Sequence, residues 1–143
     1  KPFQIGVPAV LKEGNEIAVF ATGYMVGLAL EAAGELEKEV SVKVINISTI
    51  KPMDEERVKE LVKDCRGIVT AEEHNVKGGM GSAVAEVLRK ECKPIEFVGV
   101  QDTFGSSAHK YQEVLNYYGL TKEEISRAIR EINELTKERS SRK

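Results

Sequence analysis

Short apolar runs that stop at small or polar residues alternate along this chain with stretches whose apolar residues recur at helical spacing. That alternation constrains the fold more than any other feature. Ile17-Ala18-Val19-Phe20-Ala21 is an almost continuous apolar run ending at Thr22-Gly23, as expected of a strand covered on both faces. From Tyr24 to Glu39, residues Val26, Leu28, Ala29, Ala32, Ala33 and Leu36 return on one helix face, with acids between them. Val42-Lys43-Val44-Ile45-Asn46-Ile47 reads as a second strand, stopped by Ser48-Thr49. A helix over Asp54 to Val62 follows, with Asp54, Glu55 and Glu56 massed at the positive end of its dipole. The third pair is a strand over Gly67 to Ala71 and a helix from about Ser82 to Glu91. Pro94 then breaks the chain before the strand Ile95-Glu96-Phe97-Val98-Gly99-Val100. Asp102 to Ser107 reads as a loop, and a helix over about Tyr111 to Tyr117 is closed by Gly119. Thr121-x-x-Glu124 matches a capping box, opening a last helix that carries Ile125, Ala128, Ile129, Ile132 and Leu135. The leading segment, with Val10-Leu11 before the turn Glu13-Gly14-Asn15, can supply one more strand.

Such alternation implies a three-layer α/β/α domain: a mostly parallel sheet, helices on both faces and right-handed crossovers. The strands beginning near residues 17, 42, 67 and 95 are expected to run parallel. The sequence shows no internal repeat and no linker, so the expectation is one domain over 1–135 and a frayed tail over 136–143.

Charge and cysteine use narrow the classes of function. A net charge of −2 leaves no electrostatic footprint for nucleic acid, and only Arg139-Ser140-Ser141-Arg142-Lys143 is locally basic. Cys65 and Cys92 stand far apart and outside any CxxC spacing, which suits small buried hydrophobes in a reducing compartment. No apolar run approaches the roughly 20 residues of a membrane span, and no signal peptide opens the chain, so a cytoplasmic protein is expected. Lys1 stands where an initiator Met would, which fits a processed chain or a piece of a longer one.

Candidate functional residues gather where the third strand ends, in Thr70-Ala71-Glu72-Glu73-His74-Asn75-Val76-Lys77-Gly78-Gly79-Met80-Gly81-Ser82. The carboxyl edge of a strand is where ligand-binding groups collect in open α/β sheets. Glu72, Glu73 and His74 could form an acid–base set, but adjacent residues leaving a strand point to opposite sides, so at most two converge. Gly78, Gly79, Gly81 and Ser82 could present backbone N–H groups to an anion, or let the loop lie flat against another subunit. They lack the Lys-Ser/Thr ending of a phosphate-binding loop. Glycine is costly to order, so in a domain cut from its partners the loop His74 to Ser82 is expected to be mobile unless contacts across an interface hold it. The rim with Glu72, Glu73 and His74 is expected to be partly exposed, beside a surface more apolar than the rest that faces another domain or subunit. Gly23-x-x-x-Gly27 departs from G-x-G-x-x-G, since Tyr24 and Met25 occupy places where a backbone must approach a pyrophosphate. Gly23 is read as a tight turn and Gly27 as a close helix–sheet contact. His109 is expected to face solvent. There is no nucleophile elbow, metal cluster or catalytic triad, so no catalytic residue and no metal ligand is assigned.

Four segments together resemble the C-terminal domain of transketolase. They are Ala21-Thr22-Gly23-Tyr24-Met25-Val26 with Ala29-Leu30-Glu31-Ala32-Ala33; Val44-Ile45-Asn46 with Thr49-Ile50-Lys51-Pro52-Met53-Asp54; Ala71-Glu72-Glu73-His74 with Gly78 to Ser82 and Ala85-Glu86-Val87-Leu88; and Phe104-Gly105-Ser106-Ser107 with Tyr118-Gly119-Leu120-Thr121. They cover nearly the whole chain in the family's order. The same superfamily includes deoxyxylulose-phosphate synthases and the beta subunits of 2-oxo-acid dehydrogenases. Val100 to Ser107 favours transketolase, although Ala108 stands where the transketolase pattern has a Gly.

The resemblance implies a Rossmann-like, five-stranded, mostly parallel sheet with an antiparallel edge strand and strand order 1-3-2-4-5. It implies an enzyme that moves a two-carbon ketol unit between sugar phosphates with thiamine diphosphate and Mg²⁺. In that superfamily the cofactor is held by two other domains, and the Gly-Asp-Gly diphosphate motif is absent here. No cofactor is therefore expected on this chain alone, and none of its residues is carried over as catalytic or cofactor-binding. The implied role is structural and interfacial. The implied partners are the remaining domains or subunit of the enzyme, in a homo-oligomer, with neither nucleic acid nor membrane involved.

Overall fold

The computed structural model describes residues 4–75, 78–100, 113, 116 and 119–141. In chain order the elements are β1 (Ala9–Lys12), β2 (Ile17–Ala21), α1 (Met25–Glu35), β3 (Val42–Asn46), α2 (Glu55–Leu61), β4 (Gly67–Asn75), α3 (Met80–Val87), β5 (Ile95–Val100) and α4 (Lys122–Ser141). The strands form one five-stranded sheet in the order β1-β3-β2-β4-β5. β1 runs antiparallel to β3 at one edge, and all other neighbours are parallel. The expected architecture and strand order hold, with the leading segment as the antiparallel edge.

Side-chain alternation along the strands divides the core in two. Ile17, Val19 and Ala21 of β2, Val42 and Val44 of β3, and Val69 and Ala71 of β4 pack with α1 and α4. Ala18 and Phe20, Ile45, and Ile68 pack on the other face with Val58 and Leu61 of α2 and Met80 and Val84 of α3. Every residue of β2 is fully buried, which explains why its sequence reads as an unbroken apolar run. Each large aliphatic side chain buried in these clusters contributes roughly 1.5–3 kcal/mol.

The helix starts follow the sequence signals. Asp54 caps α2, its Oδ1 accepting the Arg57 N–H at 3.0 Å. Thr121 Oγ1 accepts the Glu124 N–H at 3.2 Å, as the capping-box pattern predicts. The C-terminus of α2 takes two cations: Lys43 Nζ donates to Leu61 O at 2.9 Å, and Lys93 Nζ donates to Val62 O. Lys43 is buried despite its charge, because this helix end gives the ammonium a carbonyl partner.

Several expectations are corrected. α4 continues to Ser141, so residues 136–141 are helix and not a frayed tail. Thr136 is buried, and its Oγ1 accepts from Arg66 Nε at 2.9 Å. The same guanidinium donates to Glu16 Oε1 at 3.0 Å and to Asn133 Oδ1, tying the amino ends of β2 and β4 to α4. Cys65 is buried as expected, whereas Cys92 is exposed and has a φ of 56°. Gly23 makes the expected tight turn at φ 59°, but a Cβ on Gly27 would meet nothing within 4 Å, so Gly27 does not pack on the sheet. α1 ends at Glu35, short of Glu39, and α3 begins at Met80 and ends at Val87. The loop at 102–107, His109 and the helix over 111–117 lie outside the described residues, apart from Glu113 and Asn116.

Two outcomes follow from this packing. A Cβ on Gly67 would stand 2.2 Å from Ile132 Cγ2, so Gly67→Ala must push α4 off the sheet. It is expected to cost about 1–3 kcal/mol, read as a thermal midpoint several degrees lower. The Glu16 carboxyl is held below its ordinary value of 4.5, first by the Ser41 N–H and then by the Arg66 guanidinium. A carboxyl whose folded value is depressed stabilises the fold above its unfolded value and loses that contribution as pH falls. Glu16→Gln should therefore flatten the decline in thermal midpoint measured between about pH 6 and about pH 3. An unchanged slope would show that Glu16 does not contribute to the acid limb.

Candidate functional site

β4 runs past its partner β2, whose ladder ends at the pair Ala21 and Ala71. Against β5 its register slips, with Ala71 opposite Val98 and Asn75 opposite Val100, four steps on one strand facing two on the other. A bulge of this kind re-aims side chains at a strand end. Here it lies at Glu72, Glu73 and His74, inside the strand and at the carboxyl edge of the sheet.

The two glutamates go to opposite layers. Glu72 is fully buried, with Oε1 accepting the Met80 N–H at 2.9 Å and Oε2 accepting the Gly81 N–H at 2.6 Å. Those N–H groups open α3, whose own N-cap, Gly79, has no side chain to offer. Glu73 turns to the other face, where its Oε1 accepts the Tyr24 N–H at 3.1 Å. Tyr24 is the N-cap of α1 and likewise makes no side-chain cap of its own. Consecutive carboxylates of one strand thus cap two helices on opposite sides of the sheet. An N-cap bond is worth roughly 0.5–2 kcal/mol. A negative charge at a helix start adds roughly 0.3–1 kcal/mol.

Glycine makes the first of these caps possible. A Cβ on Gly81 would lie 2.7 Å from Thr70 Oγ1, 2.8 Å from Phe97 Cδ1 and 2.9 Å from Glu72 Oε2. The backbone of α3 therefore approaches β4 more closely than any side chain permits. Thr70 Oγ1 is buried in the same place and has no hydrogen-bond partner among the described residues. Gly78 differs, standing exposed at φ 85° with open space around it, while its N–H donates to Ser82 Oγ at 3.0 Å.

The structure brings Glu72, Gly81 and Ser82 to the start of α3, with Gly78 and Gly79 leading into it, and sends Glu73 to α1. His74 is placed on β4, and its side chain lies outside the described residues. Glu72 and Glu73 do not converge, so they form no acid–base pair. The expected partial exposure is corrected for Glu72, which is buried because α3 supplies two donors to its carboxylate. The expected mobile glycine loop is corrected at Gly81, which is part of the core. Among the described residues, no group of three His, Cys, Asp or Glu could hold a metal ion, and no helix is long and apolar enough to cross a membrane. Sequence reasoning missed the capping roles of both glutamates. The available signal was the absence of a Ser, Thr, Asp or Asn at the N-cap positions of α1 and α3, which are Tyr24 and Gly79.

A family model described as "Transketolase, C-terminal domain" matches residues 6–125. The chain is 41% identical over 134 residues to a 6-deoxy-6-sulfo-D-fructose transketolase subunit of Clostridium sp. (strain MSTE9), covering 92% of this chain and 41% of that subunit. It is 36% identical over 142 residues to the 1-deoxy-D-xylulose-5-phosphate synthase of Heliobacterium modesticaldum, covering 96% of this chain and 22% of the synthase. A solved structure titled "Split gene transketolase, inactive beta4 tetramer" superposes with a TM-score of 0.86 at 43% identity, over 94% of this chain and 44% of that one. The chain thus spans less than half the length of these relatives.

The glycines of the rim are expected to respond unequally. Gly81→Ala drives a methyl group into Thr70, Phe97 and the Glu72 carboxylate, and should lower stability by about 2 kcal/mol or more in chemical denaturation. Gly78→Ala meets only the strain of its positive φ, about 1 kcal/mol. Equal losses would mean that α3 can shift off β4 without cost.

Proposed function

The chain belongs to the transketolase C-terminal domain family, and we propose that it completes a transketolase whose catalytic centre lies on other domains. In this reading the complete enzyme transfers a two-carbon ketol unit between sugar phosphates with thiamine diphosphate and Mg²⁺. The present chain supplies structure and assembly contacts to a homo-oligomeric enzyme and has no turnover of its own. The observation that carries the reading is the family match over residues 6–125 in a chain that spans 41% of a transketolase subunit.

The rim supports the division of labour. A diphosphate would be drawn to a helix N-terminus at the carboxyl edge of the sheet. At α1 and α3 those positions are taken by the carboxylates of Glu73 and Glu72, which would repel a second anion. The described residues therefore do not fit the cofactor's diphosphate, and no chemical step is derived through it on this chain. A second reading, in which the complete enzyme is a deoxyxylulose-phosphate synthase, is favoured by the 36% identity to the Heliobacterium enzyme.

The test is an assay of the chain alone and then with the remaining transketolase section of its organism, with thiamine diphosphate and Mg²⁺ present. Ketol transfer between sugar phosphates is expected only in the combined sample. Turnover by the chain alone would overturn the proposal. Formation of 1-deoxyxylulose 5-phosphate in place of ketol transfer would select the second reading.

A further inference from the structure

Five large apolar side chains are exposed among the described residues, and three of them lie on one rim of the sheet. Tyr24, 45% exposed, follows the carboxyl end of β2, and Ile50, 37% exposed, follows the carboxyl end of β3. Ile5, 73% exposed, precedes β1, which is antiparallel and pairs its first residue, Ala9, with Asn46 at the end of β3. The chain is fastened there, since Asp54 N–H donates to Gly6 O at 2.9 Å. Because β1, β3 and β2 are consecutive in the sheet, the three side chains are strung along one continuous edge. The other two, Leu11 and Leu135, sit on the outer strand and on α4.

We propose that the carboxyl edge around Ile5, Tyr24 and Ile50 is the face on which the preceding part of the transketolase subunit docks. The inference rests on the reading under Proposed function and adds to it the location of the contact and its occupant. Two observations select that occupant. First, the antiparallel β1 makes the polypeptide enter the fold at this edge. In a longer relative, of which this domain is 41%, the chain that precedes the domain must therefore arrive beside Ile5. Second, carboxylates occupy all three described helix starts on this edge: Glu73 at α1, Asp54 at α2 and Glu72 at α3. Those acids disfavour a small anionic ligand at the described helix starts and leave the exposed apolar side chains of Ile5, Tyr24 and Ile50, which suit a protein partner.

The experiment mixes this chain with the remaining transketolase section of its organism and follows hydrogen exchange and affinity. Amides within 4–8, 22–24 and 47–53 should gain protection in the complex. Tyr24→Asp combined with Ile50→Asp should weaken association at least about tenfold. Its thermal midpoint should stay near the parent's, because both side chains are exposed. Leu11→Asp and Leu135→Asp, off the rim, should bind as the parent does. If the double variant does not fold, the exchange pattern of the parent chain decides alone. Protection confined to β1's outer edge or α4 would overturn the docking face while leaving the family's division of labour intact. Failure to associate and to restore activity would overturn that division of labour and the docking face with it.

Discussion

The carboxyl edge of this domain is organised by two side chains that are neighbours in sequence and face opposite ways. Glu72 and Glu73 leave β4 on opposite sides, and each ends on backbone N–H groups at the start of a helix. A helix start leaves four N–H groups without partners, and the usual remedy is a local Ser, Thr, Asp or Asn. Here the N-caps of α1 and α3 are Tyr24 and Gly79, neither of which makes a side-chain cap. Both helices borrow their caps from the central part of the sheet. The position of each helix along its strand is thereby coupled to the conformation of one bulged strand end.

Much of the architecture was legible in the sequence because hydrophobic period maps directly onto the two half-cores. Ile17 to Ala21 is apolar at every position because β2 is covered on both faces, and the strand–helix alternation around it implies parallel neighbours. The antiparallel β1 has too weak a pattern to be placed by period alone, since Ala9, Val10, Leu11 and Lys12 alternate only between exposed and half-buried. Its position came from the resemblance.

What the sequence concealed was set by long-range contacts. Glu72 reads as a surface residue because its two donors lie across a loop in α3. Thr136 reads as tail because Arg66, its partner, is 70 residues away. Lys43 sits in an apolar strand and is buried because α2 ends where its ammonium arrives. Gly27 and Gly81 look alike in sequence, yet one faces open space and the other holds α3 against Thr70 and Phe97. A glycine's role depends on what its missing Cβ would have met, and local pattern carries no record of that.

The same carboxylates bear on function through what they exclude. An α/β sheet gathers helix starts at its carboxyl edge, and those starts attract anions. In this chain both described starts beside β4 hold a carboxylate of their own, which opposes a second anion at those two places. Backbone groups satisfied internally can be covered by a protein surface at little desolvation cost, and exposed Tyr24 and Ile50 then gain by being covered. Two acidic residues placed where a ligand's charge would sit thus give this edge the character that the proposed docking face requires.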